Sequence, residues 1–572
     1  MIDNSSRQPL AAAAAADSRH DVTCVHDNAG PRRPSVPLLD RPTTTANDSR
    51  NKRTVIARYG YLAYSGLAVA MGMVHFGFHL GEFNNISKVL PCLSIPHDTP
   101  TSRFFGIALP PCIPMSTLQF SFLNAVLALS GAAGAAVAGA LCKTHGRRRV
   151  LHFAALPLAA GDLLMVFAAS YVQLLIGRIL AGFATGAYTA VSPVFLAEMA
   201  PAKLRGIVGN LASAGIAMGL AVAGLAGYYW TDPPTWRWLL AVALLLNAVQ
   251  VVMVMGVPES PTHLRQVGMV AMARVVEERF GWEHGNEVES DGQVEEVEVD
   301  CGTETKADTK RHEAAVEMLV TAGPGPSSSS SLTLTPVPTA AAPSHAPTLL
   351  EFLTRREYRR ALVILGIAHA SQQLSGINVF FAYSFSILTL IFTPSEAALF
   401  YLIMAWANIP VNFLPGLLVD RAGRRPLILF SMLAMALAAA LFAVAAHFIL
   451  PAFAMAMFLT AVVVFAVGLS NVPYILTAEL VEPSAVPAAA QVALAVNALA
   501  SFTVLFGTPP MLDALKEGTF VVFAVYLAIA AAALAILLPE TRGRTAEEVV
   551  AELHRRSGVA EDEDEHLVRA AV

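Results

Sequence analysis

The stretch GALCKTHGRRR (Gly139–Arg149) returns in the second half of the chain as GLLVDRAGRRP (Gly416–Pro426). Two more pairs recur at nearly the same offset: PVFLAEMAP (Pro193–Pro201) with PYILTAELVEP (Pro473–Pro483), and PESP (Pro258–Pro261) with PETRGR (Pro539–Arg544). Three marks in one order at one spacing make the chain an internal duplication. Each mark closes an apolar block. The blocks lie at about 61–83, 118–141, 150–169, 172–196, 207–229 and 236–257, then at about 361–388, 397–419, 427–448, 453–478, 487–510 and 519–538. Each is long enough to cross a bilayer as a helix of about 20 residues. Equivalent blocks point the same way, so the halves are parallel repeats about an axis along the membrane normal.

Composition agrees with this reading. Of 572 residues, 55% are hydrophobic and 14% are charged, against roughly a quarter charged in a soluble domain. A soluble enzyme, a disordered protein and a secreted disulfide scaffold are excluded. So is a transmembrane β-barrel, because the apolar residues run in blocks rather than alternating. The expected organisation is a disordered cytosolic tail (1–57), a six-helix bundle (58–257), a cytosolic central loop with a disordered linker (258–360), a second six-helix bundle (361–540) and a cytosolic tail (541–572). Residues 323–347 are Pro/Ser/Ala-rich, as a linker is. Lys143, Arg147, Arg148 and Arg149, then Lys203 and Arg205, then Arg421, Arg424 and Arg425 mark one face. By the positive-inside rule that face and both termini are cytosolic. Lys88, Arg103 and Lys516 are almost the whole positive charge expected on the other face. Cys92 and Cys112 share a predicted external loop and form the one plausible disulfide.

These marks, together with Gly177-Arg178, Ala197-Glu198 and QQLSGIN (Gln372–Asn378), resemble the sugar porters of the major facilitator superfamily. QQLSGIN is the most specific of them. The resemblance runs from about Tyr61 to Thr545, apart from the central loop. It implies an all-α membrane protein of twelve transmembrane helices in two bundles, which carries a hexose or related polyhydroxylated solute by alternating access. It also implies pairing across helices at the cytoplasmic ends, among Arg147, Arg148, Glu198 and Arg205 in one half and Asp420, Arg424, Arg425 and Glu479 in the other. A neutral sugar calls for neutral amides and aromatic faces. Gln372, Gln373 and Asn378 supply the amides, and Gly376 allows a break that brings them together. By resemblance Asn408, Asn497, Tyr383 and Tyr474 complete the site. Pro473 frees a backbone carbonyl and permits a bend nearby.

In GFHLGEFNN (Gly77–Asn85), His79 stands where proton-coupled members carry Asp, with Arg178 as its implied neighbour. This leaves two expectations. His79 stays neutral beside Arg178 and transport is facilitative, which is the favoured reading, or Glu82, on the same helix face, takes up a proton with His79. A third reading is a sugar sensor that does not transport. Asp162, His75, His369 and His447 are expected to be structural or interfacial. The wording of this segment also resembles a fungal branch of the family, some of it vacuolar, so the plasma and vacuolar membranes are the expected locations. No cofactor, metal site or nucleic-acid partner is expected. The partners are a small sugar or polyol and the lipid bilayer, and the chain is expected to be a monomer.

Overall fold

A computed structural model describes residues 44–93, 102–233, 235–282, 347–413 and 421–557. The chain divides into two units, Met1–Thr54 and Val55–Val572, and the second carries every candidate membrane span. The first half of the duplication holds α1 (Thr44–Gly81), α2 (Thr117–His145), α3 (Arg147–Val166), α4 (Tyr171–Met199), α5 (Arg205–Tyr229) and α6 (Trp236–Met255). Short helices α7 (Pro261–Gln266), α8 (Val270–Arg279) and α9 (Leu349–Thr354) come next. The second half holds α10 (Arg359–Leu374), α11 (Ile377–Ala382), α12 (Ser384–Leu388), α13 (Pro394–Val411), α14 (Arg424–His447), α15 (Pro451–Val467), α16 (Val472–Glu479), α17 (Val486–Leu515) and α18 (Gly518–Leu537). A last helix, α19 (Ala546–Ser557), seats Val549 and Leu553 in the core.

Among the described residues ten spans are long and apolar enough to cross a membrane. The remaining two expected blocks are the seventh and eighth. The seventh is present but cut into α10, α11 and α12. The eighth is α13, beyond which 414–420 lie outside the described residues, Asp420 included. One boundary differs from expectation. Residues 44–57, read as irregular tail, are helical in α1. No proline lies between Pro42 and Pro91 to stop a helix there.

Lipid offers no hydrophobic drive between helices, so close backbone approach holds them together. In α2 and α4 small residues permit it: a Cβ on Gly134 would run into the Phe183 carbonyl. The near side of the bundle is the one from which α1 enters it, and the far side is the opposite one. On the far side Cys92 and Cys112 are bonded, their Cα atoms 5.2 Å apart, and enclose the hairpin β1 (Ser102–Phe104)–β2 (Ile107–Leu109). Arg237 is buried beneath this loop and donates to the carbonyls of Val166 (2.7 Å), Ala168 (2.9 Å) and Pro110 (3.0 Å). It is a far-side cation in addition to Lys88, Arg103 and Lys516. It serves to cap the C-terminus of α3, where cations are favourable.

Among the described residues, a group of hydrogen bonds joins the two halves on the far side. Asn84 donates to the Ser384 hydroxyl (2.8 Å) and accepts from the Phe385 N–H (2.9 Å), and Ser87 meets Ser386 (3.2 Å).

Candidate functional site

The break in the seventh span falls at Gly376, whose φ of +83° is the left-handed conformation. A Cβ there would meet the Phe523 ring at 2.9 Å, so glycine is required on both counts. The break turns Asn378 back onto Gln373, and its amide donates to Gln373 Oε1 (2.5 Å) and to the Ser501 hydroxyl (3.0 Å). Gln373 donates to Asn497 Oδ1 (2.9 Å), and Asn497 donates to Gln372 Oε1 (2.6 Å). Four amides from α10, α11 and α17 thus form one chain of hydrogen bonds.

Gln372 closes that chain on the tenth span. The missing N–H of Pro473 leaves the Leu469 carbonyl without its helical donor, and the Tyr474 N–H turns to Asn471 instead of Ser470. The Gln372 amide takes both orphaned carbonyls, at 3.0 Å and 2.8 Å. Tyr474 lies beside Gln372 and is 49% exposed, with its ring edge-on to His369 at 5.1 Å. His369 is fixed by Thr477 (3.0 Å). Among the described residues, no partner takes the Asn378 carbonyl oxygen or the second N–H of Gln373 and Asn497. The chain therefore keeps acceptor and donor capacity for a guest.

Two expected residues stand apart from this group. The Tyr383 hydroxyl donates to the Leu505 carbonyl (2.9 Å), and the residue is 2% exposed. Asn408 accepts from Asn412 on its own helix, through its backbone oxygen at 2.7 Å and its side chain at 3.3 Å. Ser501 belongs to the group and is absent from the expected set. One serine in an apolar span gives no signal in the sequence.

The first half carries buried charge instead. The Arg178 guanidinium pairs with Glu82, donates to the Leu123 carbonyl (3.3 Å) and lies 4.5 Å from the Phe83 ring centroid. His79 lies within electrostatic reach of Arg178. It lies between two carboxylates, with Nδ1 3.1 Å from Glu82 and Nε2 3.4 Å from Asp162. All four residues are at most 1% exposed. Asp162, expected to be structural, is therefore a member of this cluster.

At the near side each half builds the same device. Arg147 donates to Glu198 (2.8 Å), which also accepts from Ser260 (2.5 Å). Arg424 donates to Glu479 (3.1 Å), which also accepts from Thr541 (2.6 Å). Glu259 accepts the N–H groups of Arg147 and Arg148, and Glu540 those of Arg424 and Arg425. A carboxylate at a helix N-terminus satisfies orphan donors and the helix dipole together. The Arg148 and Arg425 side chains donate to the carbonyls of Met255 and Ala535. These pairs join helices within one half, and Arg205 is exposed away from them. Glu259 and Glu540 are further members of these clusters, which the sequence presents only as parts of the repeat marks PESP and PETRG. Their recurrence next to proline at both ends of the duplication is the signal that points to them.

The family model for "Sugar (and other) transporter" matches residues 66–553. The chain belongs to this family. The transporter is 28% identical over 520 residues to the mouse facilitated glucose transporter member 4, covering 88% of this chain and 93% of that protein. It is 24% identical to a probable metabolite transport protein of Saccharomyces cerevisiae, over 87% and 96% of the two chains. The inward-open xylose transporter XylE of E. coli superposes with a TM-score of 0.62 at 19% identity, over 86% of this chain and 99% of that one. The transporter is thus a multi-pass integral membrane protein with the major facilitator fold, and its business is sugar transport.

Proposed function

We propose that the transporter moves a hexose or a related neutral polyhydroxylated solute by alternating access. In this reading Gln372, Gln373, Asn378, Asn497 and Tyr474 form the solute site, and Asn408 and Tyr383 lie at its edge. The observation that carries the reading is the incomplete amide chain at the Gly376 break. It offers donors and acceptors but no charge, which suits a sugar hydroxyl face. The names of the relatives support the same class of solute. The near side is the cytosolic one, and the Arg147–Glu198 and Arg424–Glu479 pairs are parts of its gate, to be remade as the halves rock. The plasma and vacuolar membranes are the locations to examine.

The test is exchange of radiolabelled D-glucose, D-xylose, trehalose and myo-inositol across proteoliposomes of purified protein at equal pH on both sides. At least one sugar exchanges faster than through empty vesicles, and Gln372→Ala slows it. A wild-type protein that binds a sugar without exchanging it points to a sensor. Exchange by Gln372→Ala equal to wild type sinks the site.

A further inference from the structure

The connection between α12 and α13 has only residues 389–393, whereas that between α1 and α2 runs from 82 to 116 and carries the hairpin β1–β2. The duplication therefore does not account for the hairpin. Phe104 pairs with Ile107 across it, so its turn is the two residues Phe105-Gly106. Both have positive φ, +47° and +80°, as in a type I′ turn. Glycine fills the second place. The first is normally Asn, Asp or Gly, because a bulky side chain there strains the backbone. Here it is phenylalanine, and it is 71% exposed. A strained turn that presents an apolar ring outward gains little from the protein's own core.

The hairpin is held in one place. The Cys92–Cys112 bond closes its neck. Trp236 and Arg237, the first residues of α6, donate to the carbonyls of Pro111 (2.7 Å) and Pro110 (3.0 Å) just behind it. The Phe104 ring packs inward against Phe167, at the end of α3, and against Trp238 (centroids 5.8 and 4.9 Å apart). The Phe105 ring lies 5.3 Å from the same Trp238. Trp238 is exposed and shares one face of α6 with Leu245, Val249 and Val252, which are exposed too. Their spacings of seven, four and three residues put them on one stripe of the helix. In a membrane span an exposed apolar stripe faces lipid. Trp238 stands in the first turn of the span, the level at which tryptophan and tyrosine gather at a bilayer surface. Tyr229 and Trp230 are exposed at the same end of the neighbouring α5. The tip of the hairpin thus sits on the outer rim of the first half, level with the bilayer surface.

We propose that this hairpin is a membrane anchor, whose Phe105 and Ile107 insert into the boundary between headgroups and acyl chains of the far leaflet, beside Trp238. Ile107 directly follows the turn and is half exposed, so it extends the same apolar tip. The patch is continuous with the lipid-facing stripe of α6. The bilayer that covers Leu245 and Val249 therefore reaches it without any further partner. The ring contacts of the hairpin are with α3 and α6. The amide chain is built from α10, α11 and α17, so lipid rather than solute is what the tip meets. The closed neck suits an anchor as well. The disulfide and the two bonds from α6 keep the tip at one height and spare the ordering cost of insertion.

The anchor owes nothing to the identity of the solute, and its test needs no transport. The full chain is placed in phosphatidylcholine nanodiscs with the photoreactive p-benzoylphenylalanine at one position in each of four proteins. Phe105 and Ile107 are the two tip positions. Leu245 on the lipid-facing stripe is the positive reference, and Asp232 in the polar turn between α5 and α6 is the aqueous one. After irradiation, mass spectrometry of the intact protein measures the lipid adduct, and thermal unfolding shows that each protein has folded. The adduct at Phe105 should come within about threefold of that at Leu245 and exceed that at Asp232 by about tenfold. Ile107 should also exceed Asp232, and it decides the matter if the substitution at 105 unfolds the hairpin. Tip positions that give no more lipid adduct than Asp232, whether they stay unreacted or react only within the chain, overturn the anchor. Crosslinks from the tip to a second copy of the chain in place of lipid overturn it too, and make the patch a contact between copies.

Discussion

Arg147 reaches Glu198 in the first half as Arg424 reaches Glu479 in the second, and Ser260 and Thr541 cap those same carboxylates. Glu259 and Glu540 complete the match at the N-termini of α3 and α14. In the interior of the two halves the likeness ends. The first half gathers His79, Glu82, Asp162 and Arg178; the second gathers Gln372, Gln373, Asn378 and Asn497. The duplication has thus kept the near-side ion pairs in both copies and given the two interiors different polar chemistry, charge in one half and neutral amides in the other.

The contrast breaks most visibly at Arg178. Arg178→Leu leaves Glu82 and Asp162 buried without a permanent cation and should destabilise the protein by about 3–5 kcal/mol. Thermal unfolding in detergent measures this, and an unchanged midpoint would mean that the cluster is not charged. A neutral counterpart in the second half should behave differently. Gln372→Ala orphans the carbonyls of Leu469 and Ser470 and unseats Asn497, and should weaken sugar exchange by about 10- to 100-fold. The concentration dependence of exchange checks it.

The likeness can be sharpened in the same way. Glu259→Gln and Glu540→Gln each remove a carboxylate from a helix N-terminus, so each should cost about 1–2 kcal/mol. Equal losses on thermal unfolding support equivalent devices, and losses differing by more than about 1 kcal/mol contradict them. The smallest effect belongs to Asn408→Ala. It removes only the 3.3 Å contact to Asn412 and leaves the 2.7 Å backbone bond, so it should lower exchange by less than about threefold.

Much of the fold is legible in the sequence because lipid demands long apolar runs and repeated loop motifs mark their ends. The break at Gly376 is legible too, since glycine beside clustered amides leaves few alternatives. What escapes is whatever several helices build together. Asp162 is an isolated polar residue in the apolar part of α3, and nothing along the chain tells that it faces His79 on α1. Ser501 and Asn84 are silent for the same reason. Tyr383 and Asn408 have the right chemistry at the right positions, yet their own helices and Leu505 claim their polar atoms. Arg237 reads as a topology signal until its three carbonyl partners are seen.

The division of labour between the halves is tested most directly by one binding measurement. Radiolabelled sugar that the wild type exchanges is titrated onto purified wild type, Gln373→Ala and Asp162→Asn at one fixed pH. Affinity should fall by more than about tenfold in Gln373→Ala and by less than about threefold in Asp162→Asn. The reverse order would place the solute among the charges of the first half and contradict the account.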